Sequence, residues 1–318
     1  MDGHQVTREE ALWLSKQPLQ ALCRQADRIR RHFCKNTFDL CTIINGKSGR
    51  CSENCKFCAQ SAHNHTDADT YPLLSKEEIL ADAKKQAAQG VLRYSIVTAG
   101  KALSDAEIDI MCDTIRQIRQ ETTLSVCISF GLLTESQFRR LKDAGVSRVH
   151  NNLETSERHF PNICTTHTFA DKVSAIQAAQ QAGLTVCSGG IMGMGETMAD
   201  RIDMALALRG LGITSVPVNV LNPIPGTPFG EYPTLSEAEV LRILALYRFL
   251  LPSAFIRMAG GRGLLPDGGK SYFLSGANAA ITGDMLTTAG ITAQTDLQML
   301  TELGYEVKLD ETTDGHRH

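Results

Sequence analysis

Four times along this chain a helix-like stretch stops at a glycine and a short β-branched run follows. Gly90 precedes VLRYSIV, Gly145 precedes VSRVHNN, Gly183 precedes LTVCSGG and Gly212 precedes ITSVPVNV. Glycine reaches the left-handed conformation that closes a helix, which residues with a Cβ resist. The runs are short and apolar, as strands covered on both faces should be. Helix starts are marked too: Ser75, Ser104 and Thr134 stand three residues before Glu78, Glu107 and Gln137, the spacing of a capping box. Within one such helix Ile108, Met111, Cys112 and Ile115 form a single buried stripe.

Strands alternating with helices imply βα units and a parallel sheet. Strands are expected near 39–44, 92–98, 123–129, 147–152, 184–190, 213–220, 253–258 and 276–282. Eight in one chain favour a closed α/β barrel of the (β/α)8 TIM type over an open sheet. Residues 7–35 read as helical, giving an N-terminal extension over 1–36, a barrel over 37–308 and a polar tail over 309–318 that is expected to be disordered.

The chain has 318 residues, 42% hydrophobic and 21% charged, enough for a large core without covalent staples. A net charge of −3 argues against a nucleic-acid partner, which calls for a basic face. No apolar run approaches the roughly 18–20 residues of a membrane span. The start, MDGHQVTREEALWL, lacks the apolar segment of a secretory signal. A cytoplasmic location is therefore expected. In that reducing compartment the ten cysteines are more readily ligands than disulfides.

Three of them are clustered as Cys51-x3-Cys55-x2-Cys58. Thiolates suit zinc and iron–sulfur clusters. A structural zinc site wants four ligands, and no fourth cysteine is near in sequence. Three ligands on a [4Fe–4S] cube leave one iron open to a chelating substrate. The competing reading is a zinc loop or buried thiols. His63 and His65, just beyond, read as residues of a solvated loop.

The spacing, with Phe57 before the last cysteine and a strand before the loop, resembles the radical S-adenosylmethionine superfamily. The resemblance narrows to the biotin synthase family over roughly residues 15–305. CSENCKFCAQSA, VHNNLETS, TVCSGGIMGMGET, SVPVNVLNPIPGTP, IRMAGGR and SGANAAITGDMLTT are similar to its segments, in order. The resemblance implies that Cys51, Cys55 and Cys58 hold a [4Fe–4S] cluster whose reduction cleaves S-adenosylmethionine. The resulting 5′-deoxyadenosyl radical would remove hydrogen from dethiobiotin. Sulfide from an auxiliary cluster, typically [2Fe–2S], would then be inserted, with two S-adenosylmethionines used per biotin.

In the family that cluster is held by strand cysteines and an arginine. Cys127, Cys187 and Arg257 match; the remaining cysteine is replaced by Ser95. Cys41 stands where the family usually has serine, so relocated ligation is expected and a larger cluster stays open. Cys23 and Cys34 are further candidates for recruitment. Otherwise these two, Cys112 and Cys164 read as packing residues. Asn152 and Glu154 are expected at the ribose, Ile191 and its glycines at the adenine, and Lys172 at the methionine carboxylate. Asn152 and Asn219 match the asparagines that meet the ureido ring; Asn151 and His150 are weaker candidates. The resemblance also implies a reductant such as flavodoxin or ferredoxin and a homodimer. One alternative is a related radical enzyme of the carbon-skeleton mutase type, with one cluster and no sulfur insertion. The other is a non-enzymatic iron–sulfur carrier.

Overall fold

In the computed structural model, residues 4–265, 267–288 and 290–309 are described. The polar tail expected over 309–318 lies outside them from residue 310 onward. Helix starts follow the expected chemistry. Ser75, Ser104 and Thr134 each bond the backbone of the residue three places on and receive its side chain in return. Thr7, Thr168 and Thr197 do the same with Glu10, Asp171 and Asp200.

The strands are β1 (Thr37–Lys47), β2 (Arg93–Thr98), β3 (Ser125–Ser129), β4 (Val146–His150), β5 (Thr185–Cys187), β6 (Gly190–Met192), β7 (Ser215–Val220), β8 (Phe255–Met258), β9 (Ala279–Thr282) and β10 (Glu306–Val307). All named pairs are parallel, and β9 pairs back onto β1, closing the sheet into an eight-position barrel. The fifth position is shared by β5 and β6. A strand expected over 184–190 breaks at Ser188-Gly189, because two backbones come too close there for side chains. A Cβ at Gly189 would lie 1.9 Å from the Pro217 carbonyl oxygen, and one at Gly190 would lie 2.2 Å from that of Glu154.

The helices between strands are α3 (Lys76–Ala88), α4 (Asp105–Glu121), α5 (Glu135–Asp143), α6 (Phe169–Gln181), α7 (Met198–Gly210) and α8 (Glu237–Leu250). Their apolar faces and the outward strand residues, Tyr94, Ile96, Val126, Val149 and Val216 among them, make the main core. The N-terminal extension forms α1 (Arg8–Leu14) and α2 (Leu19–Cys34), which pack against α7 and α8. At the foot of the barrel Phe38 meets Phe273 and Tyr305 edge-on, with ring centroids 4.9 and 5.1 Å apart.

Candidate active site

Residues alternate across a strand, so every second side chain of β1 to β4 points into the barrel. Those inward positions carry polarity: Asp39 and Cys41, Arg93 and Ser95, Cys127, Arg148 and His150. They line the lower part of a cavity of about 360 Å³, apart from Asp39 beneath them. That volume falls in the range of small-molecule sites, about 300–1,000 Å³. The cavity rises to the loop bearing Phe57 and Cys58 and to the Met285–Thr288 segment after β9.

At the floor, Asp39 is the shared counter-charge of three guanidinium groups. Its carboxylate oxygens lie 3.2 Å from Arg93 Nε, 3.2 Å from Arg148 Nη1 and 3.1 Å from Arg257 Nη2. Burial opposes ionisation of Asp39, and the three cations overcome it, holding the acid far below the ordinary carboxylate range. Three positive charges against one negative leave the floor electropositive. Arg257 Nη2, though within ion-pair distance of Asp39, makes no hydrogen bond.

Three thiols face this floor. Burial pushes the Cys41 thiol up to about 12. Burial also acts on Cys187, but a hydrogen bond from His150 and the charges of Arg257 and Arg148 bring it down to about 6. Cys127 receives Arg93 Nη1 at 3.7 Å. Strand β1 does neighbour β2, yet its register sets Cys41 opposite Arg93 and Ile43 opposite Ser95. Ser95 is opposite Cys127 on the other side. Cys41 therefore lies one inward layer below Ser95 and supplies a thiol from a lower level. The donor set, with soft sulfur ligands and an arginine N–H not engaged in a hydrogen bond, fits an anionic iron–sulfur cluster. Cys23 is half-buried and Cys34 is buried against Arg248, at 3.4 Å from its Nη1; neither lines the cavity.

Higher up, residues 151–154 leave β4 and run beside Gly190. Glu154 has φ 70°, a left-handed backbone for a residue with a side chain. Its amide donates to the Gly189 carbonyl and its carbonyl accepts from the Ile191 amide. Burial raises the Glu154 carboxyl above its ordinary value, against the pull of Lys172 and His150. Glu154 and Ile191 line the cavity. The Asn152 amide bridges Gly189 N and Glu154, at 3.1 and 3.3 Å. The Asn219 amide accepts from Gly260 N at 2.9 Å and donates to the Gly190 carbonyl at 3.1 Å, which leaves one N–H and one lone pair facing the cavity it lines. Lys172 Nζ reaches Asn151 Oδ1, 3.3 Å away. His150, expected to be a weaker candidate, lines the cavity directly.

Cys51, Cys55 and Cys58 lie on the loop over the mouth, and burial lifts the Cys58 thiol to about 11. They offer three separate thiol ligands, as a cube coordinated at three corners requires. His63 and His65 are exposed. The loop also meets Cys164, expected from the sequence to be a packing residue. Cys164 Sγ is 3.7 Å from Cys55 Sγ and 3.4 Å from His167 Nδ1, and His167 Nδ1 is 2.6 Å from Glu53 Oε2. Among the described residues, Cys55, Cys164 and His167 are the one such group with ligand atoms all within 4.8 Å. Hydrogen bonds from Cys55 and His167, against burial, hold the Cys164 thiol well below its usual range. The pairing spans 109 residues and leaves no local signal. For Asp39, Arg93 and Arg148 a signal existed: charged residues at alternate positions of otherwise apolar runs.

Residues 47–208 match the Radical SAM superfamily and residues 217–306 match the Biotin and Thiamin Synthesis associated domain. Curated relatives include the biotin synthase of Brachyspira hyodysenteriae, 60% identical over 97% of this chain and 93% of that protein. The biotin synthase of Akkermansia muciniphila is 58% identical over 97% and 96%. Among solved structures, methylornithine synthase superposes with a TM-score of 0.84 at 20% identity, covering 97% of this chain and 96% of that one. That last likeness is one of fold.

Proposed function

The chain belongs to the biotin synthase family of radical SAM enzymes, and from that premise we propose how its own residues convert dethiobiotin to biotin. The observation that carries the reading is the cavity's two-ended chemistry: Cys58 of the three-cysteine loop at the mouth, and three more thiols with Arg257 on an electropositive floor. Cys51, Cys55 and Cys58 would hold a [4Fe–4S] cluster, and Cys41, Cys127, Cys187 and Arg257 an auxiliary cluster, [2Fe–2S] or larger. When bound, these groups supply the electron that splits S-adenosylmethionine into methionine and a 5′-deoxyadenosyl radical, and the sulfide that enters the product.

The protein's share is placement. Glu154 and Asn152, braced on Gly189, accept from the ribose; Ile191 and Phe57 offer apolar surface to the nucleoside. Asn219 presents its remaining N–H and lone pair to the ureido ring, and His150 stands on the facing wall. Lys172 contributes positive charge near Glu154. Apolar walls from Ile43, Val97 and Pro217 limit water around a carbon radical. Arg93, Arg148 and Arg257, only partly offset by Asp39, keep the floor positive, which favours a bound anionic cluster.

Other parts of the reading are an N-terminal extension over 1–36, a barrel over 37–308, a homodimer, a flavodoxin or ferredoxin donor and a cytoplasmic location. No helix among the described residues is long and apolar enough to cross a membrane. Anaerobic turnover with dethiobiotin, S-adenosylmethionine and a strong reductant, scored for biotin, tests the reading. Formation of 5′-deoxyadenosine without biotin would keep the radical chemistry but reject the substrate, and iron and sulfide counts of one cluster instead of two would favour the mutase-type alternative.

A further inference from the structure

We propose that Cys164 is an oxidisable partner of Cys55, and that peroxide joins the two as a disulfide when the mouth loop carries no cluster. The two sulfurs are 3.7 Å apart. A disulfide bond is about 2.05 Å, so closure brings the sulfurs roughly 1.65 Å nearer. The two segments are already stitched together. Lys56 N donates to the Ile163 carbonyl at 2.9 Å, and Asn54 N donates to Thr166 Oγ1 at 3.1 Å. Asn54 Oδ1 accepts from the amides of Thr165 and Thr166 at 2.9 and 3.2 Å. These bonds hold the two segments against each other on either side of the thiols.

Cys164 has no place in the proposed catalytic arrangement. It sits behind Cys55 in a small apolar cluster with Phe160 and Ile163. Its polar neighbours are Cys55, Asn54, Thr166 and His167, and His167 is in turn paired with Glu53. Cys164 is 3% exposed and Cys55 is the more open of the two, so peroxide meets Cys55, and Cys164 stands beside it and the His167 imidazole as the resolving thiol.

The step balances. One thiol sulfur attacks an oxygen of hydrogen peroxide; the O–O bond breaks, water leaves and a sulfenic acid remains. The second thiol sulfur attacks that sulfur; the S–O bond breaks and a second water leaves. Two electrons pass to the peroxide, and both thiol protons depart in the waters. The bond depends only on these two residues. Its consequence rests on the proposed role of Cys55: the loop cannot take up a cluster until a thiol reductant reopens it, and Cys55 is spared irreversible oxidation.

The test uses the full-length chain, stripped of iron by a chelator and exposed to hydrogen peroxide. Trypsin cuts after Arg50, Lys56, Arg158 and Lys172, so the bond appears in mass spectra as residues 51–56 joined to residues 159–172. Fragmentation then distinguishes Cys55 from Cys51. The linked peptide is expected in the stripped chain, lost on dithiothreitol treatment, and lacking in protein oxidised with its cluster in place. No linked peptide, or Cys55 joined to Cys51 or Cys58 instead, overturns the proposal. Cys164→Ser and Cys164→Ala are expected to bind iron normally when never oxidised. After peroxide and then dithiothreitol, wild type should recover its iron uptake and both variants should show a loss. Equal recovery overturns the protective role. If the reduced wild type binds no iron at all, the cluster-ligand reading fails while the cross-link result stands.

Discussion

Asp39→Asn keeps the side chain's size and removes one negative charge from among three buried cations. The carboxylate lies 3.1–3.2 Å from nitrogens of Arg93, Arg148 and Arg257, and none of the four side chains is more than 3% exposed. Removing one partner of a buried ion pair costs about 3–5 kcal/mol, because the other charge stays behind uncompensated. Here one substitution takes the shared counter-charge from three guanidinium groups, so about 3 kcal/mol is a lower bound. With an unfolding entropy of about 2.1 cal/mol/K per residue over 318 residues, about 3 kcal/mol lowers the melting temperature by roughly 4–5 °C. Urea and thermal denaturation of the cluster-free protein, wild type against variant, read this directly. Burial opposes the charge on Asp39 and the three arginines more than restore it, so its folded value is depressed. Its stabilising contribution is therefore complete above the unfolded value of about 3.9 and is lost only as pH falls through the folded one. With Cys187, which titrates near 6 against the same arginines, replaced by alanine in both proteins, the gap between them should be flat from about pH 8 to 5. A difference under about 1 kcal/mol, or one that shrinks over that interval, refutes the shared-counter-charge argument.

Cys41→Ser should lower auxiliary-cluster iron and sulfide while leaving the mouth-loop cluster intact; unchanged iron content would reject the relocated ligand. Glu154→Gln removes a charged acceptor worth about 1.5–3 kcal/mol, so KM for S-adenosylmethionine should rise roughly 10- to 100-fold, and an unaltered KM rules out the ribose contact. Gly189→Ala forces a Cβ to within 1.9 Å of the Pro217 carbonyl oxygen and should cost about 3 kcal/mol or more in a chemical melt. Asp200 bonds Ser156, Arg158 and Thr197, which against burial hold its acid below the ordinary range. The stability lost in Asp200→Asn should then be largest above about pH 4 and fade as the wild type is acidified, whereas a pH-independent deficit would contradict the linkage.

The barrel was legible because its punctuation is local. Gly90, Gly145, Gly183 and Gly212 end helices or helix turns with positive φ, as their sequence setting implies. Capping at Thr168 and Thr197 was less visible because aspartate, not glutamate or glutamine, occupies the third helical position. What the sequence hid depends on contacts between distant segments. The break at Ser188-Gly189 comes from the approach of Pro217 and Glu154. The strand expected through 152 ends at His150, where the chain turns to run beside Gly190. Period-two alternation from Arg148 would have turned His150 inward, had the starting phase been fixed by those buried charges. Cys164 could not be told from an ordinary core thiol until Ile163 and Lys56 were seen to pair.

The buried cluster of Asp39, Arg93, Arg148 and Arg257 has a consequence for traffic. It closes the barrel's floor, so molecules come and go past the loops at the opposite end. Substrate, nucleoside and their products therefore share one doorway, and a guest held against the floor cannot leave while another fills the mouth.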